Sequence, residues 1–160
     1  MRRLRPRAAA PQSRPAGALR LAALRLLGRR DYTAAELTAR LLDRGYVPEE
    51  VAATVAHLMA DGSLDDRRVA RVHVRVASQA KSRGRLRIQA ELQARGIDGE
   101  VAREALADLS IEDDRRAIER FLARRYPNGQ PPPAEREKLF RQLLRRGFPA
   151  DAITAALTRK

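Results

Sequence analysis

Apolar residues recur along this chain four apart, and the pattern breaks each time at the same dipeptide. Leu37 and Leu41 stand before Arg44-Gly45, Ile88 and Leu92 before Arg95-Gly96, and Leu139 and Leu143 before Arg146-Gly147. Residues at i and i+4 share one stripe of a helix, so each pair predicts a helix that stops at Arg-Gly. Glycine just past a last turn accepts the left-handed conformation that closes a helix. The apolar residue after it, Tyr46, Ile97 or Phe148, then folds back onto that turn. Gly45, Gly96 and Gly147 are spaced twice by the same 51 residues. A strict interval of this size is the signature of a tandem repeat.

A second helix follows each stop. Pro48-Glu49-Glu50, then Asp98, then Pro149 with Asp151 supply helix-opening chemistry. The apolar stripes behind them are Val51, Val55 and Leu58; Val101, Ala105 and Leu109; Ile153 and Leu157. A further helix precedes each stop helix, at about 18–27, 66–81 and 113–126. Thr33-Ala-Ala-Glu36 reads as a capping box, and Asp65-Asp66 and Glu112-Asp113-Asp114 open the first helices of the second and third copies. Asn128-Gly129-Gln130 and Pro131, Pro132 and Pro133 predict a stiff connection inside copy three. No strand pattern is present.

The expected fold is therefore all-α, with three tandem three-helix repeats in an elongated array. Residues 1–17 form a basic, disordered arm, and the repeats occupy 18–62, 63–110 and 111–160. A 51-residue copy buries little surface alone, so the copies are expected to lean on their neighbours. With six aromatics and no tryptophan, the core must be built from Leu, Val, Ile and Ala. No apolar stretch approaches bilayer length, so no membrane contact is expected. The absence of cysteine fits a reducing cytoplasm.

Charge turns this scaffold toward a partner. The formal balance is +13, and it alternates in blocks: +9 over residues 1–30, −6 over 31–66, +8 over 67–95, −6 over 96–114, +7 over 115–146. Such an excess repels itself unless it meets an anion. On the helix from Asp66, Arg68, Arg71 and Arg75 take spacings of i, i+3 and i+7, while Val69, Val72 and Val76 take the same spacing one step round as the expected core stripe. Arg67, Lys81, Arg83, Arg85 and Arg87 complete a single-signed cluster over 67–87, and Arg95 joins it as a further candidate. Arginine presents a planar fork to phosphate or carboxylate, so these nine residues are the candidate contact set. The arginines of the three Arg-Gly pairs have a plainer reading, as cations at negative helix ends.

Chemistry of other kinds is not indicated. His57 and His73 lie in helical patterns without metal-ligand spacing, and the paired aspartates are accounted for as caps. Gly96 and Gly99 lack the strand and lysine of a phosphate loop. No catalytic residue, metal or cofactor is expected.

The residues do match a known family. Leu64-Asp65-Asp66-Arg67-Arg68-Val69-Ala70, then Lys81-Ser82-Arg83-Gly84, then Ile88-Gln89-Ala90-Glu91-Leu92 with Arg95-Gly96-Ile97, closely resembles the RecX regulatory proteins. Ala18-Leu19, Leu26-Leu27, Arg30, Glu36-Leu37 and Leu41 agree in the first copy. Val69 stands where that family commonly has an aromatic, and the proline run lengthens a connection in copy three. The resemblance implies a curved array of helix triplets and a partner, the RecA recombinase. On that footing the chain would act as a monomer on the RecA–single-stranded DNA filament, without sequence specificity, and suppress ATP hydrolysis, strand exchange and coprotease activity in DNA repair and the SOS response. Two other readings compete. Residues 33–61 resemble a helix-turn-helix of a transcription regulator, although its second helix holds acids and no arginine and a helix stands where a wing would follow. A passive helical scaffold would leave the charge blocks without a use.

Overall fold

A computed structural model describes residues 16–127 and 129–158. Among these, α-helices follow one another as α1 (Ala16–Leu27), α2 (Ala34–Leu42), α3 (Pro48–Ala60), α4 (Asp66–Gln79), α5 (Arg85–Ala94), α6 (Gly99–Ala107), α7 (Ile111–Arg125), α8 (Arg136–Arg145) and α9 (Ala150–Thr158), with one 3-10 turn at Pro133–Glu135 before α8. The described residues contain no strand. The fold is three successive helix triplets. Residues 1–15 of the expected arm lie outside the described residues, and Ala16 and Gly17 open α1 instead. The last proline of that segment is Pro15, so no ring interrupts a helix from Ala16 onward.

All three Arg-Gly stops form the same closure. Gly45, Gly96 and Gly147 have φ of 80°, 75° and 84°. Each glycine N–H reaches back to Leu42, Gln93 or Leu144, and the next residue's N–H to Leu41, Leu92 or Leu143. This double bond pattern satisfies helix-end carbonyls that would otherwise be orphaned. It also carries Tyr46, Ile97 and Phe148 under the helix, where each is buried.

The helix starts follow their caps. Thr33 Oγ1 accepts from Glu36 N at 3.1 Å while Glu36 Oε2 accepts from Thr33 N at 3.3 Å. Asp65 and Asp66 divide their work: Asp65 Oδ1 accepts from Arg68 N at 3.0 Å, capping its own helix, and Asp66 Oδ1 accepts from Ala34 N at 2.8 Å, capping α2. α7 begins two residues earlier than the acidic run suggested, because Ser110 is its cap and forms a reciprocal box with Asp113. Asp98 Oδ1 caps α6 through Glu100 N at 2.8 Å.

Leu37, Leu41, Val51, Val55 and Leu58 join Leu19, Ala23 and Leu26 in one buried cluster; Leu139, Leu143, Phe148, Ile153 and Leu157 join Ile118 and Leu122 in another. Two stripes differ from expectation. On α4 the buried apolar residues are Val69, Ala70, Val74 and Ala77, while Val72 and Val76 are 38% and 42% exposed. Val69, Val72 and Val76 do share one face, but the face that packs lies about a quarter turn round, where the small residues Ala70 and Ala77 flank Val74 and carry little weight in an apolar pattern. On α6, Ala102 and Ala105 are buried and Val101 only partly; Leu109 lies past the end of that helix. Small residues let that helix pack closely, which an apolar count under-weights.

By compactness the chain divides into two units, one ending at Val69 and one beginning at Ala70. Within the second, copies two and three meet backbone to backbone. Gly84 N donates to Arg146 O at 2.9 Å and Leu86 N to Gly147 O at 3.2 Å. A Cβ on Gly84 would stand 2.3 Å from Gly147 O, and one on Gly147 would stand 2.3 Å from Arg87 N. The glycine that closes α8 is thus also a seam between copies, and Gly147→Ala would combine left-handed strain with a backbone clash. We expect it to lower unfolding free energy by roughly 3 kcal/mol or more in urea titration. Gly62→Ala, at φ 75° with nothing within 4 Å, should cost only about 1 kcal/mol. Equal losses for the two would refute the seam.

Candidate nucleic-acid interface

The basic residues of copy two separate into distinct environments. Arg67 and Arg68 occupy the exposed first turn of α4, and Arg68 Nη2 is 4.0 Å from Asp31 Oδ1. One turn on, Arg71 and Arg75 border a cleft of about 690 Å³, whose other wall is α7 with Arg116 and Arg120. The spacing of Asp113, Arg116 and Arg120 puts all three on one side of α7, and all three line the cleft. Asp108 also lines it, so four guanidinium groups and two carboxylates share the rim. The α7 arginines were missed by a reading confined to copy two; the signal lay in the basic block from 115 onward.

Other cations are engaged by an acidic side chain. Glu91 gathers three of its neighbours: Arg83 Nη1 at 2.5 Å, Arg87 Nε at 2.9 Å and His73 Nε2 at 3.0 Å. Burial opposes ionisation of Glu91, but hydrogen bonds from Arg87, Arg83 and His73 outweigh it and hold the carboxyl below its ordinary value. His73 is therefore a partner of this carboxylate, whereas His57 is exposed on α3. The described residues include no group of side chains that could hold a metal ion.

Arg85 pairs with the most buried carboxylate. Its Nε donates to Asp114 Oδ2 at 2.9 Å, its Nη2 donates to the Leu109 carbonyl, and Asp114 is 4% exposed. Asp114 is therefore not a cap but the anchor of a link from α5 to α7. Burial pushes its carboxyl above the usual range, with Arg85 pulling the other way. Lys81 is exposed on the loop after α4, and Arg95 forms the half-buried C-cap of α5. The structure thus brings Arg71 and Arg75 together in a cleft, gathers Arg83 and Arg87 on Glu91, and sets Arg85 apart.

Comparison with known proteins returns one family throughout. The first, second and third three-helix domains of RecX match residues 20–58, 65–106 and 112–157. The Regulatory protein RecX of Chromohalobacter salexigens is 40% identical over 135 residues, 84% of this chain and 88% of that protein. That of Halorhodospira halophila is 40% identical over 144 residues, 87% and 86%. The crystal structure of RecX from Lactobacillus salivarius is similar in fold, with a TM-score of 0.77 at 22% identity over 88% of this chain and 93% of that one. None of the described helices is long and apolar enough to cross a membrane.

Two outcomes follow from the ionic geometry. Asp114→Ala leaves Arg85, a third exposed, without its carboxylate and should cost about 1–3 kcal/mol in unfolding free energy, whereas the apolar pair Arg85→Met with Asp114→Leu should recover most of that loss. A single variant as stable as the parent would contradict the buried link. Glu91 is ionised more readily in the fold than in the open chain, so its contribution is present above pH 4.5 and disappears as the pH falls below it. Melting temperature measured from pH 7 to pH 3 should therefore decline less steeply in Glu91→Gln, from a lower starting value, than in the parent.

Proposed function

The chain belongs to the RecX family, and from that premise we propose that it is a negative modulator of the RecA recombinase. It binds the RecA–single-stranded DNA filament and lowers its ATP hydrolysis, strand exchange and coprotease activity. The observation that carries this reading is the cleft between α4 and α7, where Arg71 and Arg75 of copy two oppose Arg116 and Arg120 of copy three. Guanidinium forks aimed into one cleft suit a phosphate chain or a row of carboxylates, both of which a nucleoprotein filament offers. Val72 and Val76 stand exposed beside these arginines and supply apolar contact to its protein component. Phosphate contacts position a protein without reading bases, and six aromatics in the whole chain are too few for a base-stacking platform. The protein therefore acts independently of DNA sequence.

The helix-turn-helix alternative is disfavoured by α3. Its first turn carries Glu49 and Glu50, and the helix contains neither arginine nor lysine. A helix of that sign is repelled from a DNA groove.

Added below one equivalent to a RecA filament on single-stranded DNA, the protein should reduce the steady-state ATPase rate. Arg71→Glu, Arg75→Glu, Arg116→Glu and Arg120→Glu together should abolish the effect while the circular dichroism spectrum stays helical. Filament affinity should fall as salt rises, because displaced counterions and screened carboxylates both weaken it. Unchanged ATPase at equimolar protein, with binding demonstrated, would remove the modulator reading and leave a passive scaffold.

A further inference from the structure

Away from the α4–α7 cleft, a second hollow collects cations from three separate elements. Lys81 and Ser82 come from the loop after α4, Arg124 and Arg125 from the last turn of α7, and Arg146 from the stop of α8, around the ring of Phe121. Its volume is about 430 Å³, and no acidic residue lines it. Arg125 Nη2 also lies 3.9 Å from Glu135 Oε2, so it is partly neutralised, and the repulsion among Lys81, Arg124 and Arg146 is what an entering anion would relieve. We propose that this hollow is a second anion seat, and that it holds a backbone phosphate of single-stranded nucleic acid.

The hollow is built before any ligand arrives. Arg146 Nη1 donates to Lys81 O at 3.2 Å and to Ser82 O at 3.4 Å. The same guanidinium lies 4.5 Å above the Phe121 centroid, which holds its plane. Arg124 Nη2 reaches Ser82 Oγ at 3.4 Å. Ser82 itself is 3% exposed and sits at φ 45°, a region that residues other than glycine seldom occupy. Strain of that kind persists only where its surroundings enforce it, and it gathers at binding sites. Here the Gly84–Gly147 seam enforces it from the next turn of chain. Arginines whose rotamers are already fixed lose little freedom on meeting a phosphate, so this geometry favours affinity over mere attraction.

The chemistry also selects the ligand. Arg146 covers the face of Phe121, so the ring braces a cation and does not stack a base. Lys81, Arg124 and Arg125 are exposed at the mouth, so a phosphate within a continuous chain enters without threading. The α4–α7 cleft differs in having Asp108 and Asp113 on its rim. The seat at Ser82 is the more exclusive for phosphate. Its assignment to nucleic acid, as distinct from free phosphate, rests on the filament-binding reading above.

Anisotropy of labelled oligo(dT), without RecA and over a salt series, tests the seat. The double variant Lys81→Glu with Arg124→Glu spares the contacts of Arg146 and should stay helical. It should weaken oligo(dT) binding by about tenfold or more and flatten the log–log salt dependence by about one to one and a half, for two lost phosphate contacts. Arg40→Glu with Arg44→Glu imposes the same charge change on exposed residues of α2 and its stop, and should keep most of the affinity. The Ser82 amide resonance should move on adding oligo(dT). Equal binding by the first double variant, an equal loss in the control, or a Ser82 shift with millimolar inorganic phosphate but none with oligo(dT) would each overturn the proposal. RecA ATPase measured in parallel separates the two readings. Inhibition kept by the parent, with oligo(dT) affinity unmoved by the seat variant, sinks the seat alone; loss of oligo(dT) affinity in that variant, with RecA unaffected by the parent, sinks the modulator reading and leaves the seat.

Discussion

The left-handed glycine after each middle helix is the constraint on which the triplets depend. With φ near +80°, the backbone reverses within two residues, returns both free N–H groups to the helix-end carbonyls and delivers an apolar side chain to the core in the same movement. Any side chain at that glycine would carry the steric cost of the left-handed region, and the reversal would open. In copy three the turn has a second duty. Its carbonyls, at Arg146 and Gly147, accept the N–H groups of Gly84 and Leu86. A helix stop and a seam between copies are there one object, and only glycine on both strands allows the approach.

This seam explains why the Lys81-Ser82-Arg83-Gly84 segment has the residues it has. Gly84 is needed for contact, Ser82 takes the strained turn, and Arg83 reaches Glu91 on α5. What resembles a basic loop in composition is half architecture. Arg85, one residue later, is wholly so, since its guanidinium joins a buried carboxylate of the following copy. Burying such a pair gains little against an apolar pair of equal volume, but it fixes a register, because either partner alone is an uncompensated charge.

Net charge is therefore a poor guide to available charge. Within 67–95 the sum is strongly positive, yet Arg83, Arg85 and Arg87 answer to Glu91 and Asp114. Of the rest, Arg71, Arg75 and Lys81 line two hollows, and each hollow takes its cations from copies two and three. Copies two and three each present a basic helix, and the hollows between them receive residues from both.

Much of the fold was legible in the order of residues, because its determinants are local. Helix stops, caps and the stripes of α2, α3, α5, α8 and α9 depend on neighbours within four residues, and the chain carries those relations directly. Position along the chain was enough for the period and the family. The face of α4 was not legible, since the valine stripe at 69, 72 and 76 lies beside the packed face, which is chosen by contacts to Ala70, Val74 and Ala77. Nor was the fate of each arginine, for the partners of Arg85 and Arg146 lie 29 and 65 residues away. Local chemistry set the helices and where they end; contacts between distant segments decided which charges are paired with acids and which line a hollow.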